Sequence, residues 1–179
     1  MIKIPGDLNV VTGLAPTAGG SAATGDYISL KYAHRVWIVF SVKQGEATLP
    51  VLSVMKATAV AGTGAIAMTE AARIFSTLDC ATSDVLVERT PAASYTLDDA
   101  LKDKLVVFEI DPAAIGAYDC IAAKVADSNA ANITSVLYIV ESRYGTKVQP
   151  SMMLKCPFLG VAGKLRTLFL KHQSMLLKK

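Results

Sequence analysis

His34 and His172 are the chain's two histidines, and Cys80, Cys120 and Cys156 are its three cysteines, so imidazole or thiolate chemistry has to be built from these five positions. Nothing in their spacing brings them together. An odd number of isolated cysteines without close metal-ligand spacing reads as buried free thiols in a reducing compartment, not as a disulfide framework or a zinc site. Cys80 or Cys120 acting as a nucleophile would need an activating partner, and the sequence shows none beside either. His34 falls in an apolar strand-like run and His172 in the C-terminal segment, where a surface or charge-buffering role fits better than base catalysis.

The carboxylates give no clearer site. Asp98-Asp99 could contribute to a cation site, yet Lys102 and Lys104 stand close enough along the chain to offset the charge. Glu109 and Asp111 share strand parity, but a glycosidase pair also needs a sugar-sized cleft and a defined separation. Gly62-Thr-Gly64 reads as a turn. No dinucleotide fingerprint, phosphate loop, HExxH motif or nucleophile elbow occurs. The expectation is a protein that is not an enzyme, with no catalytic residue, no cofactor and no metal.

Charge is distributed unevenly. Residues 1–150 hold 12 Lys and Arg against 15 Asp and Glu, a net −3, whereas residues 151–179 hold six basic residues and no acidic one, which brings the chain to +3. A basic terminus suggests phosphate binding, but here the charges alternate with Met152, Met153, Leu154, Phe158, Leu159, Leu165, Leu168 and Phe169. That mixture suits a packing arm at least as well, and an acidic body opposes a broad polyanion face, so direct DNA contact is not expected. Val161, Leu165, Leu168 and Phe169 recur at helical spacing, which allows a short amphipathic helix.

The elements that would carry these residues read as strands. At 179 residues and 52% hydrophobic, the chain can form one substantial core, and no run of eighteen apolar residues predicts a membrane span. Met1 to Asp7 lack the pattern of a secretion signal. Residues 1–26, with Ala15-Pro16 and the Gly19-Gly20 pair, read as an N-terminal arm or long loop. His34–Val42 is a core strand, in which Trp37 and Phe40 read as core residues, and residues 48–57 are its expected hairpin partner, with Pro50 at an edge or bulge. Ile66–Ser76 allows helix or strand, and period-two alternation favours strand. Residues 84–90, Lys104–Asp111 and Ile133–Ser142 are further strands, while Ser94–Lys104 reads as a polar connection or a helical turn. The sum is an all-β fold: a single-domain antiparallel β-sandwich or barrel-like module over residues 27–150, with an irregular or short-helical extension at 151–179.

Several blocks in order carry a family resemblance: Val11-Thr-Gly-Leu-Ala-Pro16, Tyr27 to Gly45, Ala61-Gly-Thr-Gly-Ala65, Ala81-Thr-Ser-Asp84, Val106-Val-Phe-Glu-Ile-Asp-Pro112 and Asn129 to Tyr144. Across roughly residues 8–149 the chain resembles tailed-bacteriophage head-associated structural proteins, of the capsid decoration or cement type. The segment from Ser151 onward departs from the compact ending of that pattern. The resemblance implies a virion protein made in the host cytoplasm and placed on the capsid surface, with the major capsid protein or other virion proteins, and further copies of itself, as partners. Candidate assembly contacts are Thr12, Leu14, Pro16, Tyr27, Tyr144, Phe158, Leu165 and Phe169. The alternatives are a head-to-tail connector or tail-associated subunit, and a carbohydrate-binding sandwich that uses Tyr95, Tyr118 or Tyr144.

Overall fold

The chain's alternating apolar runs become twelve strands in a computed structural model that describes residues 8–143. One antiparallel sheet, sheet A, is built from β1 (Leu8–Ala18), β4 (Ala33–Lys43), β7 (Ala72–Thr77), β8 (Val87–Ala92), β10 (Asp103–Ile110) and β12 (Ile133–Ser142), in the order β1-β12-β4-β10-β7-β8. Sheet B contains β2 (Ala23–Thr24), β11 (Cys120–Val125), β5 (Val51–Ala57) and β6 (Ile66–Ala67) in that order; β3 (Ile28–Ser29) also pairs with β11, and β9 (Ser94–Thr96) with β5. The only helical element among the described residues is a single 3-10 turn, Pro112–Ile115, which the Asp111 side chain caps by accepting from the Ala113 N–H at 2.9 Å. The all-β sandwich expected from the sequence is the fold observed.

The inner faces of the two sheets meet in one core. Val36, Ile38, Phe40 and Val42 of β4 alternate inward, flanked by Val106 and Phe108 of β10 and by Val136, Tyr138 and Val140 of β12. Phe40 and Phe108 pack edge to face with ring centroids 5.5 Å apart. Leu52 and Val54 of β5 and Ile121 and Ala123 of β11 come from the opposite sheet. Tyr138 ties the layers together: its hydroxyl accepts from the Ala123 N–H at 2.8 Å and donates to the Asp26 carbonyl at 3.1 Å. Gly13 and Gly25 make room for that ring. A Cβ at Gly13 would overlap Tyr138, and one at Gly25 would come within 2.7 Å of the Gly13 carbonyl oxygen.

Three elements differ from the sequence expectations. Residues 8–26 are built into the sandwich instead of forming an arm: β1 pairs with β12 from Leu8 to Ala18, and register shifts between Thr12 and Leu14 and between Leu14 and Thr17 absorb Gly13 and Pro16. An edge strand tolerates both, because its outer hydrogen-bonding side has no ladder to disrupt. Second, β5 is not the hairpin partner of β4. Strand β4 is paired along its length with β10 on one side and β12 on the other, so residues 44–50 cross to sheet B instead. Asn132 holds that crossover, its side-chain oxygen accepting from the Gly45 and Glu46 N–H groups at 3.0 and 2.9 Å while its amide donates to the Thr48 carbonyl at 3.0 Å. Third, Ser94–Thr96 is a short strand, because Leu52 pairs with Tyr95 at the edge of sheet B. Ile66–Ser76 is strand, as the alternation favours, interrupted between β6 and β7.

Candidate assembly surface

Strand alternation that sends Val36, Ile38 and Phe40 inward must send Arg35, Trp37 and Val39 outward, and on sheet A this outward set is also largely apolar. Register places Leu137, Val39, Val107 and Phe75 side by side across β12, β4, β10 and β7. Val10, Ile139 and Trp37 form a neighbouring row across β1, β12 and β4. Leu137 and Val10 are 43% and 50% exposed, and Ile133 at the start of β12 is 40% exposed. Trp37 is therefore not the core residue that the sequence suggests. It is half-buried on the outer face, while Phe40 is fully buried.

Ion pairs border this apolar band on one side. Glu109 of β10 lies between Arg35 of β4, at 3.2 Å, and Arg73 of β7, at 3.6 Å, and Arg73 also reaches Glu88 of β8 at 3.0 Å. His34 Nδ1 stands 3.2 Å from Glu141 Oε2. Pairs across neighbouring strands of this kind contribute little to stability when exposed, but they fix where the apolar surface stops. Beside them is a cleft of about 320 Å³ whose lining includes Arg35, Glu70, Arg73, Glu109 and Asp111. Its charges are already matched: Glu109 by two guanidiniums, Glu70 by Lys56, and Asp111 by the turn it caps.

Two lysines are buried, Lys56 of β5 in sheet B and Lys104 of β10 in sheet A. Lys56 is paired with Glu70, and its ammonium lies 4.9 Å from the Tyr118 ring centroid. The hydrogen bond from Lys56 holds the Glu70 carboxyl below its ordinary range. Lys104 donates to Gln44 Oε1 at 2.6 Å, to the Asp98 carbonyl at 2.9 Å and to the Asp98 carboxylate, so all three ammonium hydrogens have acceptors. Burial pushes the Asp98 carboxyl up, but the bond and charge of Lys104 outweigh it and leave the group below its usual value. Asp98 is thereby tied to the buried Lys104, while Asp99 beside it is exposed. Among the described residues, no three His, Cys, Asp or Glu side chains cluster as metal ligands.

Cys120 is buried as the sequence suggests, whereas Cys80 is exposed. Burial raises the Cys120 thiol with help from Asp119, and burial together with Asp103, Asp79 and Asp84 raises Cys80. Both shifts disfavour the reactive thiolate. Gly62 and Gly64 occupy left-handed backbone at φ 77° and 63° in the loop closed by the Thr58 N–H bond to the Thr63 carbonyl, which accounts for the Gly-Thr-Gly sequence as a turn.

Of the candidate contacts, Thr12 is exposed on the outer face beside Leu137, and Pro16 is exposed on the same edge strand. Leu14 turns inward and packs against the core. Tyr27 is half-buried next to Gly62, and burial raises its hydroxyl pKa. Tyr144, Phe158, Leu165 and Phe169 lie outside the described residues, as do Cys156 and His172. Tyr95 and Tyr118 do not form an open stacking platform: both pack against the core, with the Tyr95 hydroxyl 3.4 Å from Ser76 Oγ. Sequence reasoning missed the outward roles of Trp37 and Leu137, although Ile133, Leu137 and Ile139 occupy alternate positions that could have revealed a second apolar face.

No family model matches the chain, and no curated protein matches it. Among solved structures, it is similar to one described as the SPBc2 prophage-derived protein YomS. That match has a TM-score of 0.47 and 12% identity, and it covers 79% of this chain and 98% of the other.

Proposed function

We propose that this protein is a non-enzymatic structural subunit of a tailed-phage virion, an accessory capsid decoration or cement protein that acts through repeated protein–protein contacts. The observation that carries the reading is the outer face of sheet A. Soluble sandwiches ordinarily turn a polar face to water, yet here Val10, Trp37, Val39, Val107, Phe75, Leu137 and Ile139 line the outward side of five adjacent strands. A contiguous apolar band bordered by paired charges has the anatomy of a protein contact: an apolar centre that binds and a polar margin that sets orientation. The ordered blocks that resemble head-associated proteins supply the partner class, and display in many copies would add avidity to modest individual contacts.

Co-sedimentation with assembled heads tests the proposal. Saturable binding at a copy number matching the lattice is expected for decoration. Absence of binding under conditions that preserve the particle would overturn it, and localisation of the bound protein to a unique vertex or the tail would favour the connector reading, in which the same sandwich serves a different symmetry.

A further inference from the structure

The outer face of sheet A complements itself, and we propose that it binds a second copy of this chain about a two-fold axis that runs parallel to the strands between β4 and β10. The inference rests on the reading of this face as a protein contact and names the partner. Such an axis lays β4 of each copy over β10 of the other. Strand β4 turns Val39 and Lys43 outward and β10 turns Asp103 and Val107 outward, in the register Lys43 to Asp103 and Val39 to Val107. Rotation about the axis keeps each row level. Val39 therefore meets the second copy's Val107 at the centre, Leu137 meets its Phe75 one strand further out, and Lys43 meets its Asp103 at one end. The two-fold makes each of these contacts twice.

Charge and area both fit this occupant. Lys43 and Asp103 are exposed, and among the described residues neither has an ion-pair partner. A partner with strong charge of one sign would match only one of the two, whereas a second copy supplies the opposite of each. At the other end of the same strands Arg35 and Glu109 are already paired within the subunit, so a neighbour leaves neither charge uncompensated. Five strands spaced about 4.8 Å apart and about 30 Å long make a face of roughly 700 Å² before side-chain relief is counted, close to the roughly 800 Å² that each partner gives to a stable interface. Sheets stack about 10 Å apart with their strands within about 30° of each other, a gap that the side chains of Leu137, Val39, Val107 and Phe75 can fill.

Mixing two charge-reversed chains tests a contact between copies. Sedimentation velocity of the full chain should show a dimer that dissociates on dilution. Lys43→Asp sets acid against the second copy's Asp103, and Asp103→Lys sets base against its Lys43; each should weaken the dimer about tenfold or more, because the two-fold repeats the clash. An equimolar mixture of the two variants should restore the dimer, since both ends of the mixed pair then join Asp to Lys. A Lys43 to Asp103 contact inside one subunit could not be restored by mixing. Circular dichroism at dilutions where every chain is monomeric should show the same sandwich in all of them. Independently of these variants, a photocrosslinker at Leu137 in the otherwise unchanged chain should link to the β7 peptide of another molecule; within one subunit β4 and β10 stand between those strands. A wild type that is monomeric at every concentration would overturn the proposal, as would reversed variants that dimerise like the wild type, a mixture that stays monomeric, or Leu137 links only to residues 144–179. Heads are absent from these measurements, so a monomer that still binds heads removes this inference alone, and a dimer that ignores heads removes the assembly reading alone.

Discussion

At the scale of single residues, the most consequential polar group is the Tyr138 hydroxyl, which is buried in the core and holds β11 and the Asp26 backbone to sheet A. Its pKa is pushed up to about 12 by burial, from an ordinary value of 10.0. Because the folded value lies above the unfolded one, the neutral hydroxyl's contribution is fully present below pH 10 and is lost as pH rises towards about 12. Two units correspond to about 3 kcal/mol. Tyr138→Phe should cost about 1–3 kcal/mol at neutral pH by orphaning the Ala123 N–H, and should remove that part of the alkaline destabilisation. Urea unfolding at neutral pH and between pH 10 and 12 measures both effects. At Lys104, Asp98→Ala should cost about 1–3 kcal/mol, since the ammonium would keep Gln44 and one carbonyl but lose its charged partner; Asp98 is partly exposed, so the loss stays below that of a fully buried pair. Denaturant midpoints of this variant and the wild type would show it. Neither effect could be read in the sequence. Tyr138 and Lys104 sit in strands whose neighbours suggested only apolar packing, and their partners are 15 to 112 and six to 60 positions away.

Elements were legible where alternation was strong and obscure where pairing depended on the rest of the sheet. Ile133–Ser142 and β10 follow directly from Val, Ile, Leu and Phe in short runs. The N-terminal strand was hidden because Gly13 and Pro16 are breakers in isolation, yet only β12's free side was needed to convert Val11 and Leu14 into a strand with two shifts. The β4–β5 connection failed as a hairpin for the converse reason: both sides of β4 were already taken. Sheet position also predicts local stability. Strand β8 has Pro91, mostly exposed side chains and pairing to β7 alone, whereas β4 is bonded on both sides. Hydrogen exchange should therefore find β8 amides far less protected than those of Val36 to Val42, with β8 opening below the global unfolding energy. Equal protection of the two strands would mean that another segment covers the β8 edge.

For the whole molecule, the decisive property is a sheet that is apolar on both faces. The inner face satisfies the requirement for a folded core; the outer face adds surface that folding alone does not need. These two kinds of apolar burial should separate by substitution. Phe40→Ala removes a fully buried ring that packs edge to face on Phe108, and should destabilise the sandwich by about 3–5 kcal/mol. Leu137→Glu places a charge on a side chain that is 43% exposed and surrounded by outward neighbours, so thermal unfolding of the sandwich should change by about 0.5 kcal/mol or less. Association should respond in the opposite order. Leu137→Glu desolvates a carboxylate in the middle of any apolar contact and should abolish binding to heads, while a conservative Leu137→Met should retain it. Calorimetry alongside co-sedimentation separates the two effects. If Leu137→Glu bound heads like the wild type, the outer face would not be the contact, and the exposed Val85, Leu86 and Val87 before and at the start of β8 would become the surface to change next.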